Sequence, residues 1–176
     1  ATARLLQDKL RAEALHFLGI AEQATHHEMK DFYPKALSAY IAKGVELELL
    51  SPDLLRFDLE KLGHALDHER DSQFTYLGLQ TLYDRYFIHS DDVRFELPQI
   101  FFMRVAMGLA AQEDHPNERA IEFYRLLSSF DYMSSTPTLF NAGTLRPQLS
   151  SCYLTTVPDN LHGIYGAMQD NAMLSK

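Results

Sequence analysis

Apolar residues recur every three or four positions through most of the chain, and that rhythm stops near Tyr132. Such spacing draws one apolar stripe along a helix, so the chain up to that point is expected to fold as packed helices. Leu6, Leu10, Ala14 and Phe17 mark a first helix over residues 4–23. Pro34 opens a second, with Leu37, Ile41 and Val45 along one face. Ser51-Pro52 is a start signal: serine caps the free N–H groups, and proline at the first helical position has no N–H to waste. Leu55, Leu59, Leu62 and Leu66 carry that stretch on, with a break near Phe57-Asp58. Residues 74–87 are aromatic-rich and mainly helical in pattern. Pro98 starts a helix over 99–112 that is apolar on nearly every side, which predicts burial. Pro116 starts another, with Ala120, Phe123, Leu127 and Phe130 facing inward.

Beyond Tyr132 hydroxyls and turn formers take over. Residues 134–144 predict a loop, a short strand and an Asn-Ala-Gly turn. Residues 149–157, rich in aromatic and β-branched types, predict a second strand. Asp159 or Asn160 then caps a last helix with Leu161, Ile164, Tyr165 and Met168 on one face. Two strands and a helix cannot close a sheet, and open strand edges invite aggregation. We therefore expect a helical domain over 1–132, and over 133–176 the start of a domain whose remainder lies on another chain or was removed. The chain opens Ala-Thr-Ala-Arg rather than on Met, which suggests that this is not a natural start.

Charge and cysteine narrow the function classes. Lys plus Arg is 16 against 24 for Asp plus Glu, a formal net charge of −8. Nucleic-acid binding leaves a basic footprint, so it is disfavoured, although a small local anion pocket is allowed. A lone thiol, Cys152, closes no disulfide within the chain, and a reducing, cytoplasmic setting is the default. No stretch is apolar for long enough to span a bilayer, and no leader is visible, so no membrane partner is expected.

Several motifs invite chemistry and mostly fail on spacing. His64 and His68 sit four apart on an expected helix, where two imidazoles can share a metal. The zinc-protease pattern wants Glu directly after the first His; Ala65 is there, no third ligand is evident, and no metal is expected. His26-His27 is weaker, since adjacent helical residues point apart. Residues 67–71 form a charge run, expected to be a solvated helix end. Glycine-rich dinucleotide loops, the Walker lysine loop and the Gly-x-Ser-x-Gly elbow are all absent. Cys152 follows Ser150 and Ser151 and comes after a Thr-Pro-Thr run. It reads either as a buried packing cysteine, in a non-catalytic helical binding module, or as a thiol in a polar pocket lined by Thr136, Ser150 and Ser151. In a regular strand Ser151 and Cys152 would point to opposite faces.

The run Ser135-Thr136-Pro137-Thr138-Leu139-Phe140-Asn141-Ala142-Gly143-Thr144, followed by Arg146-Pro147-Gln148-Leu149-Ser150-Ser151-Cys152, resembles the large, catalytic subunit of class I ribonucleotide reductase over about 18 positions. Upstream, Glu69-Arg70-Asp71 and Phe74-Thr75-Tyr76-Leu77-Gly78-Leu79-Gln80-Thr81-Leu82 look like the same family. Downstream, Asp159-Asn160-Leu161-His162-Gly163-Ile164-Tyr165 and Leu174-Ser175-Lys176 fit its effector-binding segment.

The resemblance implies a mainly α fold here: a helical N-terminal domain, then the first strands and helix of a ten-stranded α/β barrel. It implies radical reduction of ribonucleoside diphosphates, with Cys152 as one of the redox-active thiols, the one that protonates the departing 2′ hydroxyl. Thr136 and Ser151 correspond to substrate contacts. Asp159, Asn160, Leu161 and Lys176 correspond to positions that hold a deoxynucleoside triphosphate effector; Asn160 departs from the serine often found there. No cofactor is expected on this chain, and the radical would come from a metal-containing small subunit. The other implied partners are the remainder of the large subunit, a second large subunit packed through the helix after Asp159, and thioredoxin or glutaredoxin as reductant. The cobalamin-dependent class shares the barrel chemistry and stays open. The reaction needs at least three thiols in the barrel, and this chain has one, so the chain alone is expected to be inactive.

Overall fold

A computed structural model describes residues 2–175. Helix α1 (Thr2–Phe17) and helix α2 (Met29–Glu46) are followed by a 3-10 turn (Pro52–Arg56), helix α3 (Leu59–His64), a second 3-10 turn (His68–Gln73) and helix α4 (Tyr76–Arg85). A two-stranded antiparallel hairpin, β1 (His89–Ser90) and β2 (Val93–Arg94), leads into helices α5 (Pro98–Ala110), α6 (Pro116–Ser128), α7 (Thr136–Asn141) and α8 (Leu161–Leu174). The mainly helical expectation holds.

Local chemistry explains most boundaries. The Ser51 hydroxyl accepts from the Asp53 N–H, and the Asp58 carboxylate accepts from the Lys61 N–H, so the break near Phe57-Asp58 is a stop and a fresh start. Thr75 caps α4 by accepting from the Gly78 N–H. Helix α5 is the centre of the core: Ile100, Phe101, Phe102, Met103, Val105, Ala106 and Met107 are all fully buried. Helix α2, the second 3-10 turn and α7 pack against it, with α6 its most extensive neighbour.

Several expectations are corrected. Helix α1 stops at Phe17, where Gly19 turns the chain with φ +68. Helix α2 begins at Met29, so Pro34 lies inside it. The carbonyl of Lys30 loses its helical donor there, beside an open groove that Lys30 and Pro34 line. Phe130 lies past the end of α6 with φ +62 and is exposed. The hairpin escaped notice because its strands are two residues each; its turn, Asp91-Asp92, has φ +48 and +64, the left-handed pair such turns require.

The region after Tyr132 differs most. Residues 136–141, expected to include a short strand, form α7, with Pro137 in its first turn. Residues 149–157, expected to be a strand, form no regular element. A strand is held by hydrogen bonds to a neighbour, and among the described residues this segment finds none. The barrel's first strands are therefore not formed among the described residues. Helix α8 does form, but only Ala167 on it is buried.

Candidate functional site

The hydroxyl-rich run is built onto the helical body through one buried arginine. Arg104 on α5 is fully buried, as is Glu96 just before that helix. Its Nε donates to Glu96 Oε1 at 2.6 Å and its Nη2 to Glu96 Oε2 at 3.3 Å. The remaining N–H groups turn to the end of α7: Nη1 donates to the Ala142 carbonyl at 2.7 Å, and Nη2 to the Leu139 carbonyl at 3.1 Å. The last carbonyls of a helix have no internal donors and carry partial negative charge, so a guanidinium is well matched to them. Tyr40 donates its hydroxyl to Glu96 Oε1, and the Ile88 N–H donates to Glu96 Oε2 at 3.0 Å. Burial works against the Arg104 charge, but Glu96 and Tyr40 outweigh it and hold the guanidinium pKa above its ordinary value.

The Asn-Ala-Gly turn follows at once. Gly143 has φ +78, and a Cβ there would sit 3.0 Å from Arg104 Cγ. A Cβ on Gly108 of α5 would sit 2.2 Å from the Gly143 nitrogen. Two glycines thus let the turn lie directly on α5. The Ser51 N–H donates to the Gly143 carbonyl at 2.9 Å, tying the turn to the first 3-10 segment as well.

Thr136 opens α7 and is exposed; its hydroxyl lies 3.1 Å from the Tyr86 hydroxyl. The Tyr86 ring stacks on Phe140 at 4.6 Å and 8°, so α7 is gripped on a second side. Asn141 Nδ2 donates to the Gln148 carbonyl at 2.7 Å, and the Thr138 hydroxyl donates to the Leu149 carbonyl at 3.3 Å. These two bonds anchor the chain shortly before Ser151 and Cys152. Both of those residues are exposed, and the thiol is free. Within this chain the thiol is therefore not packed into the helical core. The opposite-face difficulty also falls away, because no strand imposes alternation on Ser151 and Cys152.

The second expected cluster is separate. Asp159 is exposed, and Asn160 is the cap of α8, its Oδ1 accepting from the Gly163 N–H at 2.8 Å. That bond occupies the Asn160 side chain in helix capping. Leu161 is 73% exposed, and Ile164, Tyr165 and Met168 also face outward. Lys176 lies outside the described residues. His64 ends α3 whereas His68 begins the next 3-10 turn, so the two do not share a helix.

A second buried polar centre lies across α5. Asp71 accepts from the Tyr33 hydroxyl at 2.7 Å and from Gln99 Nε2 at 2.7 Å. Gln99 Oε1 accepts from the Tyr124 hydroxyl at 2.7 Å, and the Tyr124 oxygen accepts from the Asp67 N–H at 2.9 Å. Burial, only partly offset by these donors, raises the Asp71 carboxyl from 3.8 to about 6. Burial likewise pushes the Tyr124 hydroxyl up to about 12.

Arg104 and Glu96 were missed at the level of sequence, although one signal was visible. Arg104 interrupts an otherwise apolar run, and a charge placed inside a buried helix needs a partner.

Residues 72–147 match the family model described as the all-alpha domain of ribonucleotide reductase. The chain is 49% identical over 174 residues to the ribonucleoside-diphosphate reductase subunit alpha of Chlamydia trachomatis, covering 99% of this chain and 16% of that protein. The subunit alpha of Helicobacter pylori is 51% identical over 122 residues, covering 69% of this chain and 16% of that protein. The ribonucleoside-diphosphate reductase large chain of Schizosaccharomyces pombe is 40% identical over 125 residues, covering 70% and 15%. The chain thus spans about one sixth of the length of these curated relatives. The family match takes in Arg104, Thr136 and the Asn-Ala-Gly turn, the likeness to relatives runs along nearly the whole sequence, and the chain belongs to the ribonucleotide reductase large-subunit family.

Proposed function

We propose that this chain forms the N-terminal part of a ribonucleoside-diphosphate reductase large subunit, in which Cys152 is a redox-active thiol and Thr136 and Ser151 contact the substrate. The observation that carries the reading is the exposed Cys152 thiol on a segment hydrogen-bonded to α7, the helix that Thr136 opens and Arg104 pins. Hydroxyls beside an anionic diphosphate supply charge-assisted hydrogen bonds without a basic surface, which suits a chain of net charge −8.

In this reading a radical formed elsewhere in the enzyme takes the 3′ hydrogen of a ribonucleoside diphosphate. Cys152 gives its proton to the departing 2′ hydroxyl, which leaves as water. Cys152 and a second thiol, supplied from outside this chain, then share the S–S bond that records the two electrons given to the sugar. Thioredoxin or glutaredoxin restores both thiols by exchange. A metal-containing small subunit supplies the radical, and this chain holds no cofactor of its own.

Residues 1–132 are the helical domain and 133–176 the opening of the α/β barrel domain. Asp159, Asn160, Leu161 and Lys176 hold part of a deoxynucleoside triphosphate or ATP effector, which makes the enzyme allosteric and nucleotide-binding. The apolar residues on α8 meet a second large subunit: Leu161, Tyr165 and Met168 are each more than 60% exposed, a face that favours association. No helix among the described residues is long and apolar enough to cross a membrane. The reading places the chain in a cytoplasmic enzyme of deoxyribonucleotide synthesis.

The test is Cys152→Ala in the full-length enzyme, with substrate and a reducing system. Loss of multiple turnover with the protein still folded is expected. Turnover equal to that of the unsubstituted enzyme would remove Cys152 from the mechanism. The chain by itself should form no deoxynucleotide.

A further inference from the structure

We infer that His26, His68 and Glu69 form a binding site for a single zinc-type dication, tying the loop after α1 to the second 3-10 turn. The two imidazoles come from segments far apart in sequence, yet their rings lie 5.4 Å apart, tilted by 38°. Glu69 reaches between them: its Oε2 is 3.4 Å from His26 Nε2, and its Oε1 is 3.1 Å from His68 Nε2. All three ligand atoms fall within 4.8 Å of one another. Each imidazole faces a different oxygen of the same carboxylate, and bonds of about 2.0–2.1 Å to an ion between them put neighbouring ligand atoms roughly 3.4 Å apart, near these separations.

His68 supplies the independent sign of a missing ligand. Its Nε2 is shut off from solvent and makes no hydrogen bond, because the nearby Glu69 oxygen lies in the wrong direction for one. A buried ring nitrogen left this way costs stability unless something accepts or shares its lone pair. A neutral imidazole with its lone pair pointed at a shared centre is the commonest protein metal ligand.

Both halves of the site are held before any ion arrives. The His26 turn is closed by Glu28, whose Oε2 accepts from the Thr25 N–H at 2.8 Å and from the Thr25 hydroxyl at 2.7 Å. The His68–Glu69 turn is capped by Asp67, whose Oδ1 accepts from the Glu69 N–H at 3.1 Å. It is anchored below by Asp71, buried among Tyr33 and Gln99. Two imidazoles and one carboxylate select zinc, cobalt, nickel or copper over magnesium or calcium, which prefer all-oxygen shells. Three protein ligands leave a fourth position for water. A third imidazole, His27, lies farther off, its centroid 6.5 Å from that of His68.

The experiment uses this chain after chelator treatment, titrated with Co2+ and followed by its visible absorption, then back-titrated with Zn2+. We expect one Co2+ per chain with a four-coordinate spectrum, displaced by Zn2+, and a thermal midpoint raised by Zn2+. His26→Ala and His68→Ala should each weaken Zn2+ binding about tenfold or more, comparable to the loss seen on disturbing metal-site partners. His115→Ala, distant in sequence and outside the cluster, should change nothing. Should His68→Ala fail to fold, His26→Gln decides, because the His26 side chain is the more exposed of the two, 35% against 13%, and glutamine keeps much of its volume. Absence of a saturable site overturns the inference, and so does saturable binding that survives both His26 variants.

Discussion

The body of the protein and its last stretch satisfy their side chains in opposite ways. Up to Thr144, charged groups that enter the interior are met by a counter-charge, as at Arg104 and Glu96, or by neutral donors, as at Asp71, and large apolar residues are mostly covered. Beyond Leu149 the balance inverts: Leu154 is 99% exposed and Met173 68%. The body is held by its own contacts, whereas the stretch after Leu149 presents surface suited to something else. Only α7 and the glycine turn lie in both worlds, built onto the body yet carrying the hydroxyl-rich run outward.

The sharpest way to break this contrast is to cut the link between them. Arg104→Met removes the cation that pairs with Glu96 and caps α7, leaving a carboxylate fully buried without a counter-charge. Breaking a buried pair from one side typically costs about 3–5 kcal/mol. Urea unfolding of the variant should show a loss of that size. Glu96→Gln together with Arg104→Met should recover part of it, because no buried charge then remains. A loss below about 1 kcal/mol, the usual worth of an exposed pair, would show that the pair is not buried in solution.

Asp71 tests the body from the other side, since it is buried with neutral donors rather than a cation. Its carboxyl titrates near 6 in the folded chain against an ordinary value of 3.8. The folded state therefore keeps the proton longer than the unfolded one. The stability this gives is fully present below about pH 4 and is lost as pH rises to about 6, a change on the order of 3 kcal/mol. Glu28 and Glu118, held below their ordinary range chiefly by hydrogen bonds, act in the opposite sense. Comparison with Asp71→Asn isolates the buried group: the difference in unfolding free energy between the two proteins should change across pH 4–6 and be flat above 7. A difference that does not vary with pH would mean Asp71 is hydrated.

How much of this was legible beforehand follows the same division. Much of the body was readable from local start signals, Ser51 as a cap and Pro98 and Pro116 in first turns, whereas the caps Asp58 and Thr75 emerge only in the structure. Pro34 misled, since proline marks a first turn more often than an interior. The strand expected over 149–157 misled for a deeper reason. β-Propensity describes how a side chain fits a pleated surface, and it forms no ladder without a neighbour. The family was legible through the run from Ser135 to Cys152, whereas the geometry around that run was not. Nothing local in the sequence says that Arg104 reaches the carbonyls of Leu139 and Ala142, because that contact exists only after α5 and α7 pack.

The smallest expected effect is also the one that most directly separates the two regions. Tyr165→Ser or Leu161→Ser alters side chains that are 63% and 73% exposed on α8. If the contrast is right, neither change touches the cooperative unit, and the unfolding free energy of this chain should move by no more than about 0.5 kcal/mol, as for ordinary surface sites. A comparable apolar truncation in α5, such as Phe102→Ala, should cost about 3–5 kcal/mol, because Phe102 is fully buried. The same α8 variants in the full-length enzyme should weaken association of large subunits, measured by sedimentation, while leaving thermal unfolding of the isolated chain unchanged. Losses of several kcal/mol at Tyr165 would instead mean that α8 packs on the body in solution, and that its apolar face is already spoken for.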